Sequence, residues 1–168
     1  MRTGLKLAAA LAALLAAGSA QAAECSAALI CASNPEGLVS SLQAQGFKAS
    51  LGKSESTGNP KILSAAAGYN YTILFFGCEK SLNCNSLMFL ANFDDDGSHS
   101  ADLANEWNRD KRFTTMSFDP EDKMITLSYD LTTIGGINQV NFADAVDWWQ
   151  TMLGQARTFF EAHPSKKK

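Results

Sequence analysis

Beyond its first 22 residues the chain alternates between two spacings of apolar side chains. The spacing switches where Gly, Pro, Asn and Ser gather. Ser33-Asn34-Pro35-Glu36 joins a capping side chain to a Pro at an early helical position, which predicts a helix start. Leu38, Val39 and Leu42 form its apolar stripe, and Gly46 is a sensible C-terminal stop. Phe47 to Leu51 then alternates apolar and polar and reads as a strand, followed by a polar turn from Ser54 to Pro60. Lys61 to Ala67 is a second strand, closed by Gly68. From Tyr69 to Gly77 the strand signal is strongest: Tyr69, Tyr71, Ile73 and Phe75 share one face, while Leu74 and Phe76 add bulk on the other. Apolar residues on both faces predict a central strand. Leu87, Phe89, Ala91 and Phe93 continue through a partner strand.

Asp94-Asp95-Asp96-Gly97-Ser98 breaks the alternation, and Ser98 or Ser100 can cap the next helix. Leu103, Ala104 and Trp107 form its buried stripe, with Arg109, Lys111 and Arg112 near the end where positive charge suits the helix dipole. Thr114 to Phe118 and Met124 to Leu131 are two more strands, separated by the turn Asp119-Pro120-Glu121-Asp122. Gly135-Gly136 precedes the clearest helix, Asn138 to Glu161. There Val140, Ala143, Val146, Trp149, Leu153, Ala156 and Phe160 recur at steps of three and four. Trp148, Met152 and Phe159 widen this stripe beyond what one sheet face needs. The order α-β-β-β-β-α-β-β-α predicts an α+β fold, a mainly antiparallel sheet flanked by helices.

Residues 1–22 follow a different logic. Arg2 and Lys6 precede an apolar run from Leu7 to Ala17, and Ala20-Gln21-Ala22 offers small residues for cleavage, so this segment reads as a signal peptide. The apolar run is too short to cross about 30 Å of hydrocarbon. Glu24 precedes Cys25, which does not suit lipidation. The expectation is one domain over 23–163 and a basic tail over 164–168. The protein would be exported, periplasmic or secreted and bacterial, with no membrane insertion once the leader is removed.

The cysteines agree with export. Cys25, Cys31, Cys78 and Cys84 form two pairs with the same C-x5-C spacing, and an even count in an exported chain favours disulfides. Three connectivities are open to four cysteines; local pairing, Cys25 with Cys31 and Cys78 with Cys84, is expected. The second bond would pin the mouth of a hairpin. Redox dithiols are usually C-x-x-C and zinc pairs have two to four residues between ligands, so five fit neither.

Charge and motif content narrow the function. The chain holds 14 Lys and Arg against 17 Asp and Glu, net −3, and loss of Arg2 and Lys6 with the leader makes it more acidic. Binding a polyanion needs clustered basic residues, so no nucleic-acid partner is expected. Only His99 and His163 are present, which excludes a histidine-rich metal site. The consecutive Asp94, Asp95 and Asp96 lack the alternation and closing Glu of a calcium loop and read as a charged turn. Ser50-Leu51-Gly52-Lys53 matches S-x-x-K, but at a strand end without partner motifs. No Walker loop, dinucleotide fingerprint, G-x-S-x-G or H-E-x-x-H occurs. No catalytic residue, metal or cofactor is therefore expected. Asn105-Glu106-Trp107-Asn108-Arg109 sets two Asn and an Arg about one Trp, with Trp107 expected in the core and Arg109 paired with Glu106 or Asp110. Of Trp148-Trp149, one side chain must point off the main stripe, where it is available to an interface.

The aromatic strand ending Phe75-Phe76-Gly77-Cys78, then Asn83-Cys84, Asn105-Glu106-Trp107-Asn108-Arg109 and Lys111-Arg112-Phe113 resemble the YbjN family, described as bacterial sensory transduction regulators. Asn141-Phe142 and Asp147-Trp148-Trp149 fit as well, and the likeness runs from about Pro35 to Phe160. The resemblance implies a fold similar to type III secretion chaperones, often a homodimer, and no established enzymatic activity. The leader and cysteines suggest an exported branch, unlike cytosolic members. Taken together, the expectation is an exported non-catalytic protein-binding or regulatory module with a protein partner of unknown identity. Trp148, Trp149, Met152, Asn105 and Arg109 are the candidate contacts, and an open sheet edge could accept an extended segment. The alternatives are a redox or stress sensor acting through the cysteines, or a hydrolase using Asp94–Asp96 with His99.

Overall fold

Asn34 caps the first helix, its side chain accepting from Gly37 N at 3.0 Å, and Pro35 opens α1 (Pro35–Ala44). The computed structural model describes residues 25–26 and 28–165. The expected signal peptide, residues 23–24 at the head of the expected domain, and Lys166–Lys168 of the expected tail lie outside the described residues. Six strands follow the expected alternation: β2 (Ala49–Lys53), β3 (Pro60–Ala66), β4 (Tyr69–Phe76), β5 (Ser86–Phe93), β6 (Thr115–Asp119) and β7 (Met124–Thr132). They form one antiparallel sheet in the order β2-β3-β4-β5-β7-β6, so β4 is internal, as its two-faced apolar pattern required. The other helices are α2 (Ala101–Asp110), capped by Ser100, and α3 (Gln139–Ala162), capped by Asn138. Two strands of two residues were not anticipated. They are β1 (Leu29–Ile30) and β8 (Ile137–Asn138), which pair with each other. Two residues are too few for any period to register.

All the buried strand positions lie on one face. Ile62, Tyr71, Ile73, Phe75, Leu87, Phe89, Ile125, Leu127 and Met116 point inward and share one core with Leu38 and Leu42 of α1, Trp107 of α2 and Phe142, Trp149 and Leu153 of α3. Trp149 meets the rings of Tyr71 and Phe89 at 5.6 and 5.8 Å, and Phe160 meets Phe93 at 4.9 Å, which seats α3 across β4 and β5. On the opposite face none of the strand positions is buried; Leu63 is 47% exposed, and Leu74, Met88 and Leu90 are half-buried. The β3–β4 connection is the two-residue turn Ala67-Gly68, both at positive φ, matching the twist of the flanking strands. Arg157 of α3 clamps it by donating to the Ala67 carbonyl and lying 5.4 Å from the Tyr69 ring centre. Val140, expected in the buried stripe of α3, is 77% exposed, because the buried stripe runs through Phe142, Val146, Trp149 and Leu153 and Val140 lies about 200° round the helix from Phe142, on its outer side.

Both local disulfides form, Cys25–Cys31 and Cys78–Cys84, and Thr133 joins their neighbourhoods. Its hydroxyl accepts from Ala32 N at 2.8 Å and donates to the Asn85 carbonyl at 3.1 Å, while its own N–H donates to the same carbonyl at 2.9 Å. Thr133 is 3% exposed and Ala32 fully buried. Thr133→Val keeps the shape but leaves the Ala32 N–H buried without an acceptor. That change is expected to destabilise the fold by about 1–2 kcal/mol in urea melts, the lower part of the range for an orphaned buried donor, because Asn85 keeps one bond.

Candidate contact surface

The Asn105-Glu106-Trp107-Asn108-Arg109 segment spends most of its side chains on internal contacts. Trp107 is fully buried and its Nε1 donates to Thr114 Oγ1 at 3.2 Å. Asn108 forms a two-way clamp on edge strand β6: Nδ2 donates to Met116 O and Oδ1 accepts from Met116 N, both at 2.8 Å. An Asn in a helix costs helical propensity; here its carboxamide satisfies both backbone groups of one edge residue. The role of Asn108 was missed in the sequence, because a contact between a helix and a strand eight residues away has no period. Glu106 meets His163 Nε2 at 3.2 Å. Arg109 takes Asp110, Nε to Oδ1 at 2.9 Å, rather than Glu106. The guanidinium bond holds the Asp110 carboxyl below its ordinary range and raises Arg109. Asn105 and Arg109 are both exposed.

Trp148 and Trp149 part company as the helical angle demands. Trp149 and Met152 are 0% and 3% exposed, so both leave the list of candidate contacts: their side chains fill the core and reach no surface. Trp148, 36% exposed, stacks on Phe113 with ring centres 4.4 Å apart and planes at 25°. Phe113 is itself 40% exposed, and the Arg112 guanidinium lies 5.0 Å from its ring centre. The result is a surface stack of cation, ring and ring. Phe113 has φ +69°, a conformation that costs a bulky L-residue about 1–2 kcal/mol. The stack with Trp148 returns about 0.5–1.5 kcal/mol of that cost. Asp144 stands one helical turn before Trp148 on α3. Burial, and after it the Asp144 charge, raises the Tyr129 phenol.

The remaining candidates resolve locally. Asp95 Oδ1 accepts from Gly97 N at 2.7 Å and His99 N at 3.2 Å, and Asp96 Oδ1 accepts from the Ser98 N and Oγ at 2.8 and 2.6 Å. The Ser98 hydroxyl, then its N–H, lowers the Asp96 carboxyl. These carboxylates shape their own turn, and the His99 ring lies 5.6 Å from Phe160. Among the described residues no three His, Cys, Asp or Glu side chains gather as metal ligands. No described helix is long and apolar enough to cross a membrane. A groove of about 690 Å³ runs between α1 and the start of α3, past Ser41, Gln139 and Val140. A shallower hollow of about 410 Å³ lies on the uncovered sheet face around Leu63, Thr72 and Leu90.

The family model of YbjN, described as "Putative bacterial sensory transduction regulator", matches residues 34–162. Among solved structures, the crystal structure of YbjN from E. coli, titled "a putative transcription regulator", is similar in fold. Its TM-score is 0.52 at 15% identity, covering 71% of this chain and 84% of that one. Among curated proteins nothing matches. The chain belongs to the YbjN family, and its α+β fold is that of the E. coli structure.

Proposed function

We propose that this YbjN-family chain is an exported, non-catalytic regulatory module that acts by binding another protein through the Phe113–Trp148 stack. The observation that carries the reading is that stack: two large rings, each more than a third exposed, one on α3 and one in the α2–β6 loop, flanked by Arg112. Aromatic and Arg side chains supply most of the binding energy at protein interfaces. The leader pattern and the two disulfides support an oxidising compartment such as the periplasm. Net acidic charge favours a protein over a nucleic acid as the regulated partner.

The test compares recovery of envelope proteins on the tagged chain with recovery on Trp148→Ala and Phe113→Ala. For a central contact the expected loss in affinity is about 2 kcal/mol, or roughly 30-fold in Kd. The variants should melt close to the wild type, since an aromatic pair at the surface contributes only about 0.5–1.5 kcal/mol. Unchanged recovery on both folded variants would remove this surface from the reading.

A further inference from the structure

A helix packs beside each edge of the six-stranded sheet, α2 at β6 and α1 at β2, but side chains satisfy the two edge backbones unequally. At β6 the Asn108 side chain occupies both backbone groups of Met116, and α2 lies against the strand. At β2 the outward Ala49 carbonyl accepts from Gln43 Nε2 at 3.0 Å. Backbone groups alternate in direction along a strand, so Leu51 and Lys53 present their N–H and C=O outward as Ala49 does. Ser50 and Gly52 turn theirs to Leu63 and Lys61 of β3. Three lysines stand near this edge: Lys48 and Lys61 in phase with Ser50 and Gly52 on the uncovered face, and Lys53 in phase with Leu51 on the other. The Lys61 stem lies across Gly52, with Cε and Cγ 3.7 and 3.8 Å from where a Cβ would stand, so its ammonium is carried beside the edge strand. None of the three is in an ion pair among the described residues, in a chain of net charge −3.

We propose that β2 accepts an extended acidic segment of a second protein as an added strand, its backbone bonding to Leu51 and Lys53 and its carboxylates, on the uncovered face, to Lys48 and Lys61. Addition of a strand draws affinity from main-chain bonds and specificity from side chains on alternate positions. Edge lysines normally repel a second copy of the same edge, and that repulsion becomes attraction when the incoming strand is acidic. Gly52 leaves room for a carboxylate to reach across it to Lys61. The surface stands apart from the Phe113–Trp148 stack, which adjoins the opposite edge, so the two proposals fail separately.

The probe is a fluorescent, end-blocked heptapeptide of alternating Val and Glu, titrated into the purified oxidised protein against a Val–Lys counterpart. At low salt the Glu peptide is expected to bind at least roughly tenfold more tightly, with the advantage shrinking at about 0.5 M salt as the charges are screened. Binding should move the Leu51 and Lys53 amide resonances. Leu51→Pro removes an outward N–H that the sheet does not use and should abolish binding while the protein stays folded. If that variant does not fold, the Lys48→Glu, Lys61→Glu double variant keeps the backbone and should reverse the preference between peptides. Equal affinity for the two peptides, no binding of either, or binding unchanged in folded Leu51→Pro would overturn the proposal. So would a wild-type dimer that Leu51→Pro dissolves, which would give the edge to a second copy.

Discussion

Trp149→Ala is expected to destroy most of the stability of this fold, whereas the adjacent Trp148→Ala leaves it nearly intact. Trp149 is fully buried between Tyr71 and Phe89, where α3 crosses the middle of the sheet. Removing an indole from such a site loses the transfer free energy of the ring and leaves a cavity that β4 and β5, both internal strands, cannot close. The cost for Trp to Ala is about 3–5 kcal/mol, against a total of about 5–15 kcal/mol for an ordinary domain. The check is a urea melt followed by far-UV circular dichroism, with Trp148→Ala measured beside it. Trp149→Phe makes a second comparison. Among the described residues Trp149 Nε1 has no hydrogen-bond partner, so the indole N–H is itself a burden in the core. Phenylalanine loses part of the ring but also that donor, and should cost clearly less than alanine. If Trp149→Ala melts like the wild type, α3 does not sit on the sheet as described.

The contrast between neighbouring tryptophans shows what a single sequence makes legible. The apolar stripe of α3 placed Trp149, Leu153 and Ala156 inward because three- and four-residue steps recur for six turns, and all three are buried. Alternation over β4 and β5 likewise assigned the inner face, and the Asn34 and Gly46 boundaries of α1 followed from capping chemistry. Met152 was misjudged as a contact because the buried arc of a helix lying on a wide sheet is broader than one stripe. Phe113 was unreadable as half of a surface stack: it sits in a loop, and only the tertiary fold brings it to Trp148. The edge asymmetry was equally invisible. It depends on strand order, with β7 inserted between β5 and β6, and on Asn108 reaching a strand that its own residue type does not indicate.

Reducing the Cys78–Cys84 bond, or replacing both residues by alanine, is expected to cost about 2–4 kcal/mol and to loosen the β4–β5 hairpin before the rest of the sheet. Closing a ring of seven residues accounts for about 2.4 kcal/mol through the entropy of the unfolded chain. Strain held in the loop works against that figure and makes the hairpin mouth the first place to relax. Within it Glu79 and Leu82 exchange backbone bonds at 2.7 and 2.9 Å around Lys80 and Ser81, both at positive φ, and Asn83 and Gly77 are also left-handed. Three non-glycine residues in that conformation persist only where their surroundings hold them, and the ring is the nearest constraint. Cys84 is 4% exposed and contributes to the core, so alanine, which leaves no polar atom behind, isolates the loss of the bond from the burial of a thiol. The measurement is a denaturant melt of the oxidised protein and the double variant, with amide exchange read along β4 and β5. Faster exchange at Phe76 and Asn85, ahead of Ile73 and Phe89, is the expected pattern. The same experiment separates structural from sensory cysteines. A thiolate can reach this bond only through half-buried Cys78, so in the folded protein reduction should be slow and should follow opening of the hairpin. Rapid reduction by millimolar thiol in native buffer, with the fold and its melting unchanged, would instead mark the bond as exchangeable and favour the redox-sensor reading.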